Sequence, residues 1–279
     1  DPGEQVQAAV ATEEATRGEE VGATANWTSA TRPEVSGSST VASINEEGGG
    51  RKCMNVNDFI IVEGPHEGVT TVTLNRPDKK NALSIALRDE ISDALAALAA
   101  DASTKCLIVT GSGDAFCAGF DLKEFERVRE PGFGEKLWAS SDRYHRACLE
   151  FPLPMIAAVN GPALAGGFDL AVMCDLRVAS STARFGHPEI TFGDVVYGPL
   201  HDLVGGAVAR DLCFTGRTID APEALALRLV SRVVPPGDLL GEARRFADQI
   251  ARATRDVLLR TKAKATRRAA TVSDRTLDL

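Results

Sequence analysis

The apolar positions of this chain fall into a regular rhythm only from about residue 58 onward. "DFIIVEG" (58–64) and "GVTTVTLN" (68–75) are β-rich runs separated by a Gly/Pro turn, which predicts an antiparallel pair of strands. "SIALRDEISDALAALAAD" (84–101) then spaces its apolar residues as a helix does, behind Ser84 as N-cap, and "KCLIVTG" (105–111) predicts a short buried strand. The alternation continues with a helix from "FERV" through "HRACLEF" (125–151), a strand in "PMIAAVNG" (154–161) and a helix over Gly166–Cys174. Strands follow in "LRVAS" (176–180) and "ARFG" (183–186). Beyond "VGGAVARDLCFTG" the last third is helical, in "APEALALRL", "LLGEARRFADQIARA" and "RDVLLRTKAKATRRAA". Strands and helices alternating at this density predict an α/β domain with a helical extension, without a strict sequence repeat.

Composition divides the chain. Residues 1–52 are rich in Ala, Thr, Ser, Gly and Glu and poor in large apolar side chains, so they are expected to be a disordered low-complexity leader. The rest divides into a core over 53–235 and a C-terminal helical region over 236–279. A formal charge of −8 argues against a general DNA or RNA binder, so any anionic ligand must be held by local positive charge. Six cysteines are scattered through apolar runs without metal-ligand spacing, which fits a reducing compartment and leaves no metal site to expect. No run is long enough to span a membrane and no secretory signal is evident, so a cytoplasmic protein without membrane attachment is the expectation.

Two Gly-rich turns carry the chemistry. In "NGPALAGGFDLAVMCDL" (160–176), Gly166 and Gly167 open a helix whose first N–H groups lack intrahelical partners and favour negative charge. An N–H there can receive the charge that develops on a carbonyl oxygen, and Asp169 lies three residues further on, in an apolar setting where a carboxylate is costly. On these residues alone, an oxyanion site and a simple helix start stabilised by Asp169 remain equally open. "LIVTGSGDAFCAGFDLKEF" (107–125) repeats the strand, Gly-rich loop, helix order. It lacks the third glycine of a dinucleotide fingerprint, and Gly119 with Phe120 lets backbone approach a ligand instead.

With these pieces in place the sequence resembles the crotonase superfamily, the enoyl-CoA hydratase/isomerase family. The matching stretches are "TLNRPDKKNALS" (73–84), "AFCAGFDLKEF" (115–125), "IAAVNGPALAGGFDLAVMCDLRVAS" (156–180), "ARFGHPEI" (183–190) and "FTGRTIDAPEALALRLVSRVV" (214–234). The resemblance implies a crotonase-like spiral of repeated ββα units, a helical C-terminal region used for oligomer contacts in a homotrimer or hexamer, and a coenzyme A thioester as substrate without a separate cofactor. Carried over by position, it implies an oxyanion hole from the N–H groups of Phe120 and Gly166 and catalytic carboxylates at Asp169 and Glu189. It also implies a coenzyme-binding turn at Lys80, Asn81, Ala82 and Leu83, with Arg76, Lys79, Lys80 and Lys123 supplying positive charge for phosphates. Asp169 is expected to remain charged because a helix start offsets its burial.

The first carboxylate slot holds Asp169 where the family's hydratases place Glu, and Tyr197 stands where dienoyl-CoA isomerases add a further Asp. "TFGDVVYGPLHDLVGG" (191–206) departs from the hydratases' Gly-rich run. The implied reaction is hydration or double-bond shift of an enoyl-CoA. The alternatives are a hydrolase or decarboxylase on the same fold, or a non-catalytic scaffold binding coenzyme A or RNA. RNA binding through "RTKAKATRRAA" is disfavoured because aromatic interleaving is absent. His66, His145, His187 and His201 lack metal-ligand spacing, and His187 stands close enough in sequence to Glu189 to tune it. Cys117 reads as a packed thiol.

Overall fold

A computed structural model describes residues 53–56, 58–269, 276 and 279. The leader reading for 1–52 lies outside the described residues. The predicted hairpin is present as β2 (Ile60–His66) and β3 (Val69–Leu74), antiparallel, with β1 (Cys53–Val56) on its outer edge. Three strands follow in parallel, β4 (Cys106–Gly111), β5 (Met155–Val159) and β7 (Leu176–Ser180), and β10 (Arg232–Val234) closes a seven-stranded sheet.

Period-two alternation explains why the inner strands read as unbroken apolar runs: both faces of the sheet are covered. Leu107, Val109, Ala157 and Val159 face one cluster with Leu87, Ile91, Leu95 and Leu98 of α1 (Ile85–Ala100). Cys106, Ile108, Ile156 and Ala158 face the opposite cluster with Leu239, Ala243 and Ala247 of the helix over Leu239–Ala251. Ser84 caps α1 as expected, its hydroxyl accepting the Leu87 N–H, worth about 1 kcal/mol.

The long helix expected from Phe125 is instead two elements, α2 (Leu122–Phe125) and α3 (Phe133–Leu149). Pro131 and Gly132 separate them, and Gly132 sits at φ 75 as the N-cap of α3. A small second sheet, unforeseen in the Gly/Pro/Ala-rich stretch, joins β6 (Pro162–Leu164) and β8 (Arg184–Gly186) to β9 (Ile219–Asp220). Between these strands lie α4 (Gly166–Met173) and α5 (Gly198–Thr215), the latter interrupted by a non-helical Gly205. The last helices are α6 (Ala221–Ala226), α7 (Leu239–Ala251) and α8 (Arg255–Ala269). Although α8 carries the basic stretch, it is fastened to its own chain: Lys262 is buried against Asp175 at 2.6 Å, and Arg255 donates to the carbonyls of Ala99 and Thr104. Among the described residues, no helix is long and apolar enough to cross a membrane.

Candidate active site

The small sheet brings the two Gly-rich turns together. Cys117 bridges Ala163 of β6, while Leu83 donates to Gly119 O at 2.8 Å and accepts from Asp121 N at 3.3 Å. In such a parallel bridge Leu83 makes both hydrogen bonds, so the peptide groups of Phe120, between Gly119 and Asp121, point away from Leu83. Gly119 permits the close approach: it has φ +96, and a Cβ there would lie 2.7 Å from Ala165 Cβ. Gly167 is equally confined, since an added Cβ would lie 2.1 Å from Cys117 O. Ala165 adopts φ 51, ψ −131, a costly backbone for a residue with a side chain, and delivers Gly166 to the open first turn of α4.

Phe120, Gly166, Asp169 and Glu189 all line one cavity of about 310 Å³. Phe125, Trp138, Phe192, Val195 and Val196 supply an apolar remainder. Phe125 meets both Phe120 and Trp138 edge-on, with centroids at 5.9 and 6.2 Å. Thr276 reaches the rim and bonds to Asp142.

Glu189 is carried by a 3-10 turn (Pro188–Thr191) that begins with a proline and ends with Phe192 and Gly193 donating to Glu189 O at 2.8 Å each. Asp169 comes from the first turn of α4. Between them lies His187, fully buried, with Nδ1 2.9 Å from Glu189 Oε1 and 3.7 Å from Asp169 Oδ1. Sequence spacing had suggested His187 as a neighbour of Glu189; its approach to Asp169 depends on α4 folding back beside β8. Burial pushes the Asp169 carboxyl up to about 8, with His187 opposing and Glu189 adding to the rise. This corrects the expectation of a charged Asp169: the helix start does not offset full burial, and the group holds a proton at neutral pH. Burial pulls His187 down, but its bond to Glu189 and the charges of Asp169 and Glu189 outweigh that and hold it above its ordinary value.

The other sequence candidates sort themselves by position. Asn81 is a buried brace, its Nδ2 donating to the carbonyls of Ser112, Ala115 and Phe116. Lys80 and Asn81 take left-handed φ values of 49 and 55, which turns the chain sharply before Ala82 and Leu83. Lys79, Lys80 and Lys123 are exposed nearby. Arg76 departs from its expected phosphate role, since it pairs with Asp121 at 3.1 Å and donates to Ala82 O. Cys117 is sealed, burial pushing its thiol up to about 12. His145 is buried under Phe120 and pulled down to about 4 by burial, while His66 and His201 are exposed. Tyr197 donates its N–H to Leu279 O. Sequence reading missed Arg88, which has no exposed surface and places its guanidinium 4.6 Å from the Phe120 ring centre.

The family model for enoyl-CoA hydratase/isomerase matches residues 64–278. The chain belongs to the enoyl-CoA hydratase/isomerase family. A short-chain-enoyl-CoA hydratase of Clostridium acetobutylicum is 37% identical over 203 residues, covering 71% of this chain and 76% of the relative. Among solved structures, an enoyl-CoA hydratase from Mycobacterium smegmatis superposes with a TM-score of 0.71 at 36% identity, over 77% of this chain and 85% of that one. A monofunctional enoyl-CoA isomerase from M. smegmatis gives 0.64 at 28% identity, over 78% and 96%. The fold is therefore the crotonase fold, and the protein is an enzyme of the hydratase/isomerase family.

Proposed function

We propose that this enzyme adds water across the double bond of a 2-enoyl-CoA. The observation that carries the reading is two buried carboxyl groups and two Gly-rich backbone turns converging on one apolar cavity. The thioester oxygen lies against the N–H groups of Phe120 and Gly166, which stabilise the enolate charge as it forms. Glu189 takes a proton from water as its oxygen bonds to C3, and the electrons of the C2–C3 double bond move toward the thioester. Asp169, held protonated by burial, gives its proton to C2. The Lys80–Leu83 turn receives the adenine nucleotide of the coenzyme, with Lys79, Lys80 and Lys123 near its phosphates. Every step uses protein groups and water, so no separate cofactor is needed.

Double-bond migration is the second reading, favoured by the shorter Asp169 in the first slot, because a shift needs only one base to move a proton between two carbons. Assaying hydration of a 2-trans-enoyl-CoA and migration from a 3-enoyl-CoA with the same preparation separates the two. Hydration faster than migration supports the first reading, and migration without hydration replaces it. Phe214 on α5 is 72% exposed, which supports assembly into a trimer or a dimer of trimers; sedimentation at single-chain mass would contradict it. The five described cysteines are buried and unpaired, in keeping with a reducing compartment such as the cytoplasm.

A further inference from the structure

At the rim of the cavity stands Thr276, far along the chain from every other lining residue, the nearest in sequence being Val196. It is held from two directions. On α3, Asp142 Oδ1 accepts from Thr276 N at 2.8 Å and from Thr276 Oγ1 at 2.9 Å, and Ser141 Oγ lies 3.0 Å from the same hydroxyl. His145 Nδ1 approaches that hydroxyl to 3.2 Å. Toward α5, Leu279 N donates to Thr276 O at 3.1 Å, and Leu279 O accepts from Tyr197 N at 3.0 Å and from Gly198 N at 2.7 Å. Bonds to a carboxylate are the stronger kind, so Asp142 is the main anchor.

We propose that Thr276, pinned by Asp142, is a specificity-determining residue that closes the acyl side of the cavity, so that short acyl groups are taken and long ones excluded. The inference rests on the acyl-CoA reading above. Its surroundings assign Thr276 to the acyl side rather than to the coenzyme. Trp138 lies one turn before Asp142 on α3, and Val195 and Val196 lie just before Tyr197, so the lining next to both anchors is apolar and suits a hydrocarbon. Lys79, Lys80 and Lys123, the cations offered to the phosphates, are exposed around the turn before α1 and on α2, and none of them lines the cavity.

Size points the same way. The cavity of about 310 Å³ is at the small end of the roughly 300–1,000 Å³ usual for small-molecule sites, and it must take the thioester as well as the acyl group. A wall held in place by hydrogen bonds excludes carbons that a loose wall would admit. Asp142 separates this wall from the chemistry, because it does not itself line the cavity. Asp142→Ala removes the acceptor of both Thr276 bonds and leaves every lining side chain intact. Asp142→Asn keeps an oxygen that can accept them.

The test measures kcat/KM for the trans-2-enoyl-CoAs butenoyl-, octenoyl- and dodecenoyl-CoA, and titrates binding of the saturated thioesters of the same lengths. Wild type should favour the shortest over the longest by about a hundredfold or more. Asp142→Ala should raise the dodecenoyl-to-butenoyl ratio by about tenfold or more in both readouts, while Asp142→Asn keeps the wild-type ratio. Thr276→Leu adds bulk to the wall and should lower the octenoyl-to-butenoyl ratio by about tenfold. An Asp142→Ala enzyme with the wild-type ratio overturns the assignment. An equal loss at all three lengths also overturns it, because Thr276 would then serve the coenzyme side. Thr276→Leu decides the question if Asp142→Ala does not fold, an unchanged ratio sinking the proposal. Binding needs no turnover, so the two readings fail separately: a wild type that adds no water yet sorts the saturated thioesters by length refutes hydration alone, and one that does not sort them refutes the wall.

Discussion

Two sets of polar side chains are buried in the segments that shape the cavity, and they are built on opposite rules. In one, Asn81 and Arg88 spend their donors on the protein. Asn81 Oδ1 accepts from Arg76 N at 2.9 Å while its amide serves three carbonyls. Arg88 donates to Leu83 O at 3.0 Å, Leu137 O at 3.2 Å and Ser140 Oγ at 3.3 Å. In the other, among the described residues, Asp169, His187 and Glu189 share one hydrogen bond and leave an atom unpartnered on each residue. A saturated cluster fixes the backbone that presents Phe120 and Gly166. An unsaturated one keeps protons movable and is costly to stability, as reactive sites commonly are.

If that division is right, mutations should separate by readout. Glu189→Gln keeps volume and removes basicity, so hydration should fall by about two to four orders of magnitude while binding of a CoA thioester survives. Steady-state kinetics with a thioester-binding titration checks both. Arg88→Met should show the reverse emphasis, losing about 3–5 kcal/mol of stability because three buried acceptors lose their donor. Denaturant unfolding measures this, and unchanged stability would remove Arg88 from the scaffold.

The pH dependence of stability gives a smaller and more specific effect. Asp169 is raised from 3.8 to about 8, so the folded state binds its proton more tightly than the unfolded chain does. The stability this contributes is complete below the unfolded value and is lost as pH rises through the folded value. Asp169→Asn has no carboxyl to ionise, so its stability relative to wild type should grow between pH 5 and pH 8, by about 3–4 kcal/mol. Parallel melting curves at the two pH values check the sign.

The scaffold was far more legible in the sequence than the unsaturated cluster. Unbroken apolar runs in "KCLIVTG" and "PMIAAVNG" marked buried strands, and Ser84 marked the start of α1, because those signals are local. The Pro131–Gly132 break was present in the letters but hidden by apolar spacing that continues across it. β6 was read as a turn because Pro162 and its Gly neighbour punctuate a stretch that becomes a strand only by pairing with β8. Arg88 was passed over because its burial depends on α3 packing over it, where its guanidinium meets Ser140 and Leu137. Asp169 was assigned a charge from its helix position alone. What raises its carboxyl is enclosure by segments remote in sequence, which no local pattern carries.

The central claim is that Asp169 and Glu189 act together on one double bond, and Asp169→Asn tests it most directly. An Asn at this position cannot give a proton to C2, so hydration of a 2-trans-enoyl-CoA should fall by about a hundredfold or more while the fold and thioester binding persist. Hydration retained within about tenfold of wild type would contradict the account and leave Glu189 as the sole proton carrier.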